Sequence, residues 1–333
     1  MRRTAAGVAR AHPGRPPGAS LHRARWQMPT RRADRDTVVC GSLALLWLMD
    51  AGLQLQPLMF TRLFPATILY ANALMYQPQM VAHLLVPLAA WLSPHLLALN
   101  WGVATLQALI ALGLWVRRTR RAALAVSAGW ALCVWVVAEG LGGMATGTAL
   151  LEFGAPGAAL LYAAVSGLLW RSAGGSAPAP DGAEPAGAHP AAAARVVWSC
   201  LWGLGAALHL PLVHPAAGVL AYNLQSAAQD QPGALATVDY GLARFAYAHA
   251  TSLSVGLALI ELAIAAAVWS RRWRGTGLAV GTAASLAFWV IGQAMGGVFT
   301  GLSTDPQSAP LVVLLAVLAL GSGRPRARPS ARG

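Results

Sequence analysis

The long apolar segments of this chain occur twice, 154 positions apart. When the sequence is shifted by that distance, residues 95–161 align with residues 249–315 without a gap, and 24 of the 67 aligned positions are identical. Apolar composition alone would give far fewer identities, so the sequence predicts one structural unit present in two copies. The matched pairs include His95 with His249, Trp115 with Trp269, Trp135 with Trp289, and Pro156 with Pro310.

Composition and the length of the apolar runs indicate a membrane protein. Hydrophobic residues make up 56% of the chain and charged residues only 11%, and a bilayer-spanning helix needs about 20 mostly apolar residues. The pattern predicts an all-α integral membrane protein with about eight transmembrane helices, arranged as two tandem four-helix bundles. The predicted spans are Val38–Pro57, His95–Val116, Ala122–Met144, Ala155–Trp170, Val196–Val213, His249–Ser270, Gly277–Val298 and Leu311–Leu320.

The distribution of basic residues predicts the orientation. All 24 basic residues are arginine, and under an eight-span topology with cytoplasmic termini only Arg62 and Arg244 lie on the outer side. Because cytoplasmic loops are enriched in basic residues, the sequence predicts a bacterial plasma (inner) membrane protein with both termini in the cytoplasm. The lipid bilayer is the expected partner of these arginines. Nucleic-acid binding is not predicted, since no basic segment is interleaved with aromatic residues.

Five parts follow along the chain. We expect 1–37 to be a disordered Arg-rich cytoplasmic tail, with Met28 as an alternative start, and 322–333 to be a basic cytoplasmic tail. The two four-helix membrane repeats are 38–170 and 195–321, joined by a Pro/Ala/Gly-rich cytoplasmic linker at 171–194. An even number of spans in each copy gives both copies the same orientation, so the repeat should be parallel, with an axis along the membrane normal.

Two kinds of outer segment separate the spans. The longer ones, Leu58–Pro94 and His214–Ala248, are semi-polar and aromatic, and we expect short interfacial helices in both. The shorter ones are glycine-rich turns at 139–147 and 293–301. Their G-x-x-x-G spacing predicts close packing between backbones.

Polar residues within the predicted spans are the candidates for function. Charged groups inside a span are costly and face a cavity or a partner. Glu139 of the first copy corresponds to Gln293 of the second, while Gln107 of the first corresponds to Glu261 of the second. Each copy thus has one Glu and one Gln, which suggests a hydrogen-bonded pair, although a difference in depth within the membrane argues against direct contact. The candidate ligand or proton sites, including the polar stripe above each pair, are Glu139, Glu261, Gln107, Gln293, Asn100 and Ser254.

The histidine and cysteine residues give no strong indication of a cofactor or of redox chemistry. His95 and His249 occupy equivalent positions where a haem or metal could bind across the two copies, but an interfacial role explains them equally well. The unmatched His209 carries no prediction, and Cys40, Cys133 and Cys200 are expected to be buried packing residues. No metal-binding spacing and no nucleophile–base arrangement is evident, so the sequence does not predict an enzyme and leaves any cofactor open.

Residues 42–57, SLALLWLMDAGLQLQP, resemble the first helix of the DoxX/DoxD-like four-helix membrane proteins. The E-G-L-G-G and T-G turns look like those of uncharacterised duplicated membrane proteins from GC-rich bacteria. The resemblance implies an accessory membrane protein that holds a quinone or lipid in its outer half and works with a membrane redox partner. A proton- or cation-coupled small-solute transporter, with its site between the two repeats, is the alternative. A haem-bearing electron carrier using the two histidines is a third possibility.

Overall fold

The computed structural model describes residues 31–174, 188–210 and 218–321, and within these ranges every regular element is helical. The predicted all-helical class is therefore confirmed. The α-helices are α1 (Arg31–Gln54), α2 (Ala71–Leu74), α3 (Gln79–Leu92), α4 (Leu96–Trp115), α5 (Arg120–Val137), α6 (Ala158–Gly174), α7 (Ala188–Leu208), α8 (Val219–Gln229), α9 (Gly233–Ala248), α10 (Ala250–Ala267), α11 (Arg274–Ile291) and α12 (Ala309–Leu320).

Several boundaries differ from the predicted ones. Helix α1 begins at Arg31, inside the predicted tail 1–37. Helix α6 continues to Gly174 and α7 begins at Ala188, so both extend into the predicted linker 171–194. The remainder of that tail, the middle of the linker and the predicted tail 322–333 lie outside the described residues, as does the alternative start at Met28.

Among the residues that the structure describes, six helical segments are long and apolar enough to cross a membrane by length and composition. One of them is 37 residues long, because α3 leads through a 3₁₀ turn at Ser93–His95 directly into α4. Two apolar helices are shorter, at Ala158–Ala173 and Ala309–Leu320. The long spans are Arg35–Gln54, Gln79–Trp115, Arg120–Val137, Ala191–Leu208, Ala250–Ala267 and Arg274–Ile291.

The arginine-rich turns are held by the same contact in each half. Arg120 Nε donates to the Leu114 carbonyl at 3.0 Å, and Arg274 Nε donates to the Val268 carbonyl at 2.9 Å. Each arginine thus donates a hydrogen bond to a carbonyl that the end of the preceding helix leaves without a partner. Its positive charge also interacts favourably with the helix dipole at this end. The tight turns make α4 and α5, and likewise α10 and α11, antiparallel neighbours.

The two halves share one hydrophobic core. Helix α1 packs on α4 and α5 on α6, while α7 packs on α10 and α11 on α12. The halves meet where α12 packs on α1 and α6 and where α6 packs on α7. The main core crosses this boundary, with Leu43 and Leu124 from the first half and Trp198, Ile264 and Leu315 from the second half all buried.

In each half a matched tryptophan donates a hydrogen bond across the glycine-rich turn. Trp135 Nε1 donates to the Pro156 carbonyl at 2.7 Å, and Trp289 Nε1 donates to the Pro306 carbonyl at 2.6 Å. The gap-free sequence alignment paired Pro156 with Pro310, so it is wrong at this point by four residues. A shift of four residues is close to one helical turn and preserves the apolar face of the following helix. The apolar pattern therefore cannot reveal that the alignment is out of register.

The cysteines also differ from expectation. Cys40 is buried, as predicted, whereas Cys133 and Cys200 are exposed. The exposed surfaces of these helices are themselves apolar, so a small apolar side chain is as favourable there as in the core. The hydrophobicity of a cysteine therefore does not show which face of the helix it occupies.

Candidate functional site

A cavity of about 360 Å³ lies in the first half, between α1, α3, α4, α5 and α6. The turn that precedes α12 in the second half closes one side of it. Apolar side chains form most of the wall, and polar side chains converge on it, which is the usual make-up of a small-molecule site. The apolar wall includes Trp47, Phe64, Leu88, Leu99, Val103 and Trp130, and the polar side chains include Asp50, Gln54, Asn72, Gln107, Glu139 and Asp305.

Three carboxylates from different elements give the cavity an acidic character. Asp50 comes from α1 and is 1% exposed, Glu139 follows α5, and Asp305 comes from the turn before α12. Asp50 Oδ1 and Glu139 Oε2 are buried without a hydrogen-bond partner among the described residues. The hydroxyl group of Tyr162 lies beside Asp50. The cavity therefore offers acceptors to a ligand that donates hydrogen bonds.

Two of these carboxylates, Glu139 and Asp305, are held in place by hydrogen bonds from the protein. Glu139 Oε1 accepts the backbone N–H of Ala159 at 2.9 Å, in the first turn of α6, where free N–H groups favour negative charge. Asp305 Oδ1 accepts the backbone N–H of Gln307 at 2.7 Å, and its Oδ2 accepts the Thr304 hydroxyl at 2.9 Å. The side chains are thereby oriented before any ligand arrives.

Three of the sequence-predicted candidates gather at or behind this cavity. Glu139 and Gln107 line it, and the Gln107 side chain is 6% exposed. Asn100 is fully buried, where it accepts a hydrogen bond from Gln54 Nε2 and donates one to the Met59 carbonyl. The polar stripe predicted on α4 is thus an internal feature of the first half.

The suggested Glu–Gln hydrogen bonds are not formed. Glu139 bonds to the α6 backbone, and Gln293 Oε1 accepts the Ser308 hydroxyl at 2.9 Å just before α12. Both carboxylate oxygens of Glu261 lack a hydrogen-bond partner in the described part of the chain. The equivalent positions 139 and 293 instead share one task, since each holds the start of the following helix.

A second polar cluster, which we call the triad, consists of Glu152, His209 and Glu261. His209 Nε2 lies 2.9 Å from Glu152 Oε1 and 3.7 Å from Glu261 Oε2, and all three side chains are at most 6% exposed. Sequence reasoning selected only Glu261. It set aside His209 because the other half has no matching histidine, and it did not consider Glu152.

Each acidic site is completed by a turn from the other half. Glu152 belongs to a 3₁₀ turn of the first half, at Leu151–Phe153, which packs on α7 and α11 of the second half. Asp305 belongs to the second half and lines the cavity of the first. The two turns are therefore exchanged between the halves.

The remaining candidates lie apart from both sites. Ser254 is half-buried on α10. His95 and His249 are exposed, and each Nδ1 contacts the carbonyl four residues earlier, that of Trp91 at 2.9 Å and that of Phe245 at 3.0 Å. Neither histidine lines the cavity.

Asp239 on α9 provides a pH-dependent contact outside the long apolar helices. It is 1% exposed, and Gln231 Nε2 donates to its Oδ2 as well as to the Val290 and Ile291 carbonyls at the end of α11. Burial raises the pKa of Asp239 to about 6, and the hydrogen bond from Gln231 opposes the increase.

Replacing Asp239 should therefore stabilise the protein at neutral pH. The folded protein binds this proton more tightly than the unfolded chain, so its stability falls as pH rises from the ordinary pKa of 3.8 through about 6. Asp239→Asn retains an acceptor for Gln231 and does not titrate. We expect the variant to be more stable by about 2–3 kcal/mol at pH 7.5, with the advantage gone at pH 4. Thermal unfolding in detergent at the two pH values checks this, and an equal difference at both would contradict it.

Comparison with known proteins adds no assignment: no protein-family model, no curated protein and no solved structure matches the chain.

Proposed function

We propose that the chain is an integral membrane protein of the bacterial plasma membrane with eight spans. The six long apolar helices support this, and so does the apolar surface they display: Leu97, Leu109 and Leu259 are 66%, 59% and 62% exposed. Exposed apolar area of this kind is unfavourable in water and suits lipid. The arginine-rich turns 116–119 and 268–273 would face the cytoplasm together with both termini.

The two short helices would be the fourth and eighth spans. Helix α12 has 12 residues, about 18 Å of helix, against a hydrocarbon thickness of about 30 Å. The outer turn before it would fill the missing depth. Irregular backbone is tolerated within a membrane when protein surrounds it, and the exchanged turns lie against helices of the opposite half.

Matched contacts favour two parallel copies of one four-helix unit. The Arg120 and Arg274 contacts lie 154 positions apart, and so do Gln77 and Gln231. Gln77 donates to the Gly140 carbonyl shortly after α5, and Gln231 donates to carbonyls in the last turn of α11. Both glutamines precede a proline that begins a helix. Equivalent residues performing equivalent tasks are expected of a duplicated unit.

We infer that the protein binds a small, largely apolar ligand with hydroxyl donors, of the quinone and quinol class, in the cavity of the first half. The observation that carries this proposal is the pairing of aromatic and aliphatic walls with the unpartnered oxygens of Asp50 and Glu139. The unpartnered carboxylate oxygens would accept the two O–H groups of a quinol. The cavity volume of about 360 Å³ suits a ring system, with the isoprenoid tail directed to lipid. The DoxX-like character of residues 42–57 is consistent with this class of ligand.

Tryptophan fluorescence tests the proposal directly, because Trp47 and Trp130 line the cavity. Adding a short-chain ubiquinone or menaquinone analogue to the purified protein should quench emission saturably, and the reduced quinol should bind more tightly. Val103→Phe should fill the cavity and weaken binding by about 10-fold or more. Leu257→Phe, at the equivalent position of the second half, is the matched control and should bind like wild type. Unsaturable quenching, or equal binding by both variants, would reject the proposal.

The second candidate function is proton- or cation-coupled transport of a small solute. Asp305 favours it, since a carboxylate from one half lines the cavity of the other, as a site between two moving bundles requires. Proteoliposomes containing an internal pH dye distinguish the two functions. Ligand-dependent proton movement would indicate transport, whereas saturable binding without such movement would indicate an accessory binding protein.

A further inference from the structure

The triad of Glu152, His209 and Glu261 has the composition of a metal site. One imidazole nitrogen and one oxygen from each carboxylate lie within 4.8 Å of one another. His209 follows the end of α7, Glu261 lies in the middle of α10, and Glu152 arrives on the exchanged turn of the first half. None of the three lines the cavity described above, so the triad is a separate site.

The triad holds more carboxylate oxygens than its hydrogen bonds satisfy. Glu152 Oε2 and both oxygens of Glu261 have no hydrogen-bond partner within the described ranges, although Glu261 is fully buried. A buried carboxylate without donors or a counter-charge is strongly unfavourable. A native fold that keeps two such groups beside one histidine must neutralise them, and a bound cation would do so while also occupying the unpartnered oxygens.

Helix α7 leaves space for the carboxylate of Glu261. A Cβ atom at Gly205 would lie 2.7 Å from Glu261 Oε1 and 2.8 Å from Oε2. Gly205 has ordinary helical geometry, so its missing side chain serves the close approach of Glu261 and not an unusual backbone conformation.

We propose that the triad binds one divalent transition-metal ion of the zinc, manganese and iron class. The imidazole nitrogen suits these ions and is an unusual ligand for magnesium or calcium. A charge of +2 balances the two carboxylates, so the occupied site is neutral within an apolar bundle. Binding of the ion requires Nε2 of His209 to be free of its proton, which would move to Nδ1 of the same ring, so the imidazole stays neutral while Nε2 and Glu152 Oε1 become ligands. Since the ligands come from both halves, the bound ion would link the exchanged turn of the first half to the helices of the second half.

Metal titration of the purified full-length protein tests the site. After treatment with a chelator, the protein should bind one Zn²⁺ or Mn²⁺ per chain by calorimetry and elemental analysis. Bound Co²⁺ should give visible absorption bands characteristic of a low coordination number. Glu261→Gln and His209→Gln should each weaken metal binding by roughly 100-fold or more. Loss of a residue that merely hydrogen-bonds to a metal ligand already costs about 10–100-fold, and loss of the ligand itself should cost at least as much. The metal should raise the melting temperature of wild type and not that of these variants.

Glu139→Gln is the matched control, since it neutralises a carboxylate of the cavity and should leave metal binding unchanged. Gly205→Ala covers the case in which a ligand variant does not fold. The new methyl group displaces the flexible end of Glu261 without removing a ligand, so binding should weaken while the fold persists. Absence of 1:1 binding in wild type would overturn the proposal, and so would unchanged affinity in both Glu261→Gln and Gly205→Ala.

Discussion

Gly142→Ala should be among the most damaging single substitutions in the described part of the chain. Gly142 has a φ of 62°, and a Cβ atom there would lie 1.8 Å from the carbonyl oxygen of Pro156. That oxygen also accepts the hydrogen bond from Trp135. The variant must therefore displace the backbone of the outer turn and lose this bond, and we expect a loss of about 3–5 kcal/mol of stability.

Gly143→Ala separates steric conflict from backbone strain. Its φ of 68° is almost the same, but a Cβ atom would meet only the Thr146 side chain at 3.9 Å. We expect a loss of about 1–2 kcal/mol, the usual cost of a left-handed conformation for alanine. Thermal unfolding of both variants in detergent provides the comparison. Equal melting temperatures would show that the approach to Pro156 is not as close as described.

Glu139→Gln should leave the stability of the protein almost unchanged but weaken its binding of the ligand. Glu139→Gln keeps the acceptor for the Ala159 N–H group, and Gln293 already performs the equivalent task in the second half. Stability should therefore change little. The amide nitrogen that replaces Oε2 cannot accept a hydrogen bond, so quinol binding should weaken by about 10–100-fold, the range expected when a buried donor loses its acceptor.

Glu139→Leu should affect both properties. It leaves the Ala159 N–H group without a partner inside the protein, which costs about 1–3 kcal/mol. The melting temperature and the fluorescence titration, measured on both variants, distinguish the two effects. If Glu139→Gln bound the quinol analogue as wild type does, Glu139 would have only a structural role.

The sequence predicted the polar residues of the spans better than those of the turns. Glu139, Gln107 and Glu261 stand out because a charged or amide group within an apolar run is rare. Asp50 could also have been found, since it faces the same side of α1 as Trp47 and corresponds to Leu204 in the second half. Glu152 and Asp305 lie in irregular turns, where polar residues are ordinary, and only tertiary packing reveals that these turns enter the opposite half.

The limits of the fold prediction have a similar cause. Periodicity and apolar length identified the helices, because these properties are local. The pairing of Pro156 with Pro306 depends on hydrogen bonds from Trp135 and Trp289 across each turn, and an alignment of apolar helices cannot detect a shift of one helical turn. The start of α1 at Arg31 differs from the prediction because an arginine-rich composition favours disorder, whereas the structure continues the helix through these arginines.

The exchanged turns bear on how such a protein could arise. A single copy of the unit could complete neither acidic site by itself, so an ancestor of half this length would have had to work as a homodimer. In that dimer both sites would have been identical, and every substitution would have altered the two together. Under the proposed duplication, fusion of the copies would remove this constraint. One site could then acquire Asp50 and an open cavity while the other acquired His209, with each remaining dependent on a carboxylate from its neighbour.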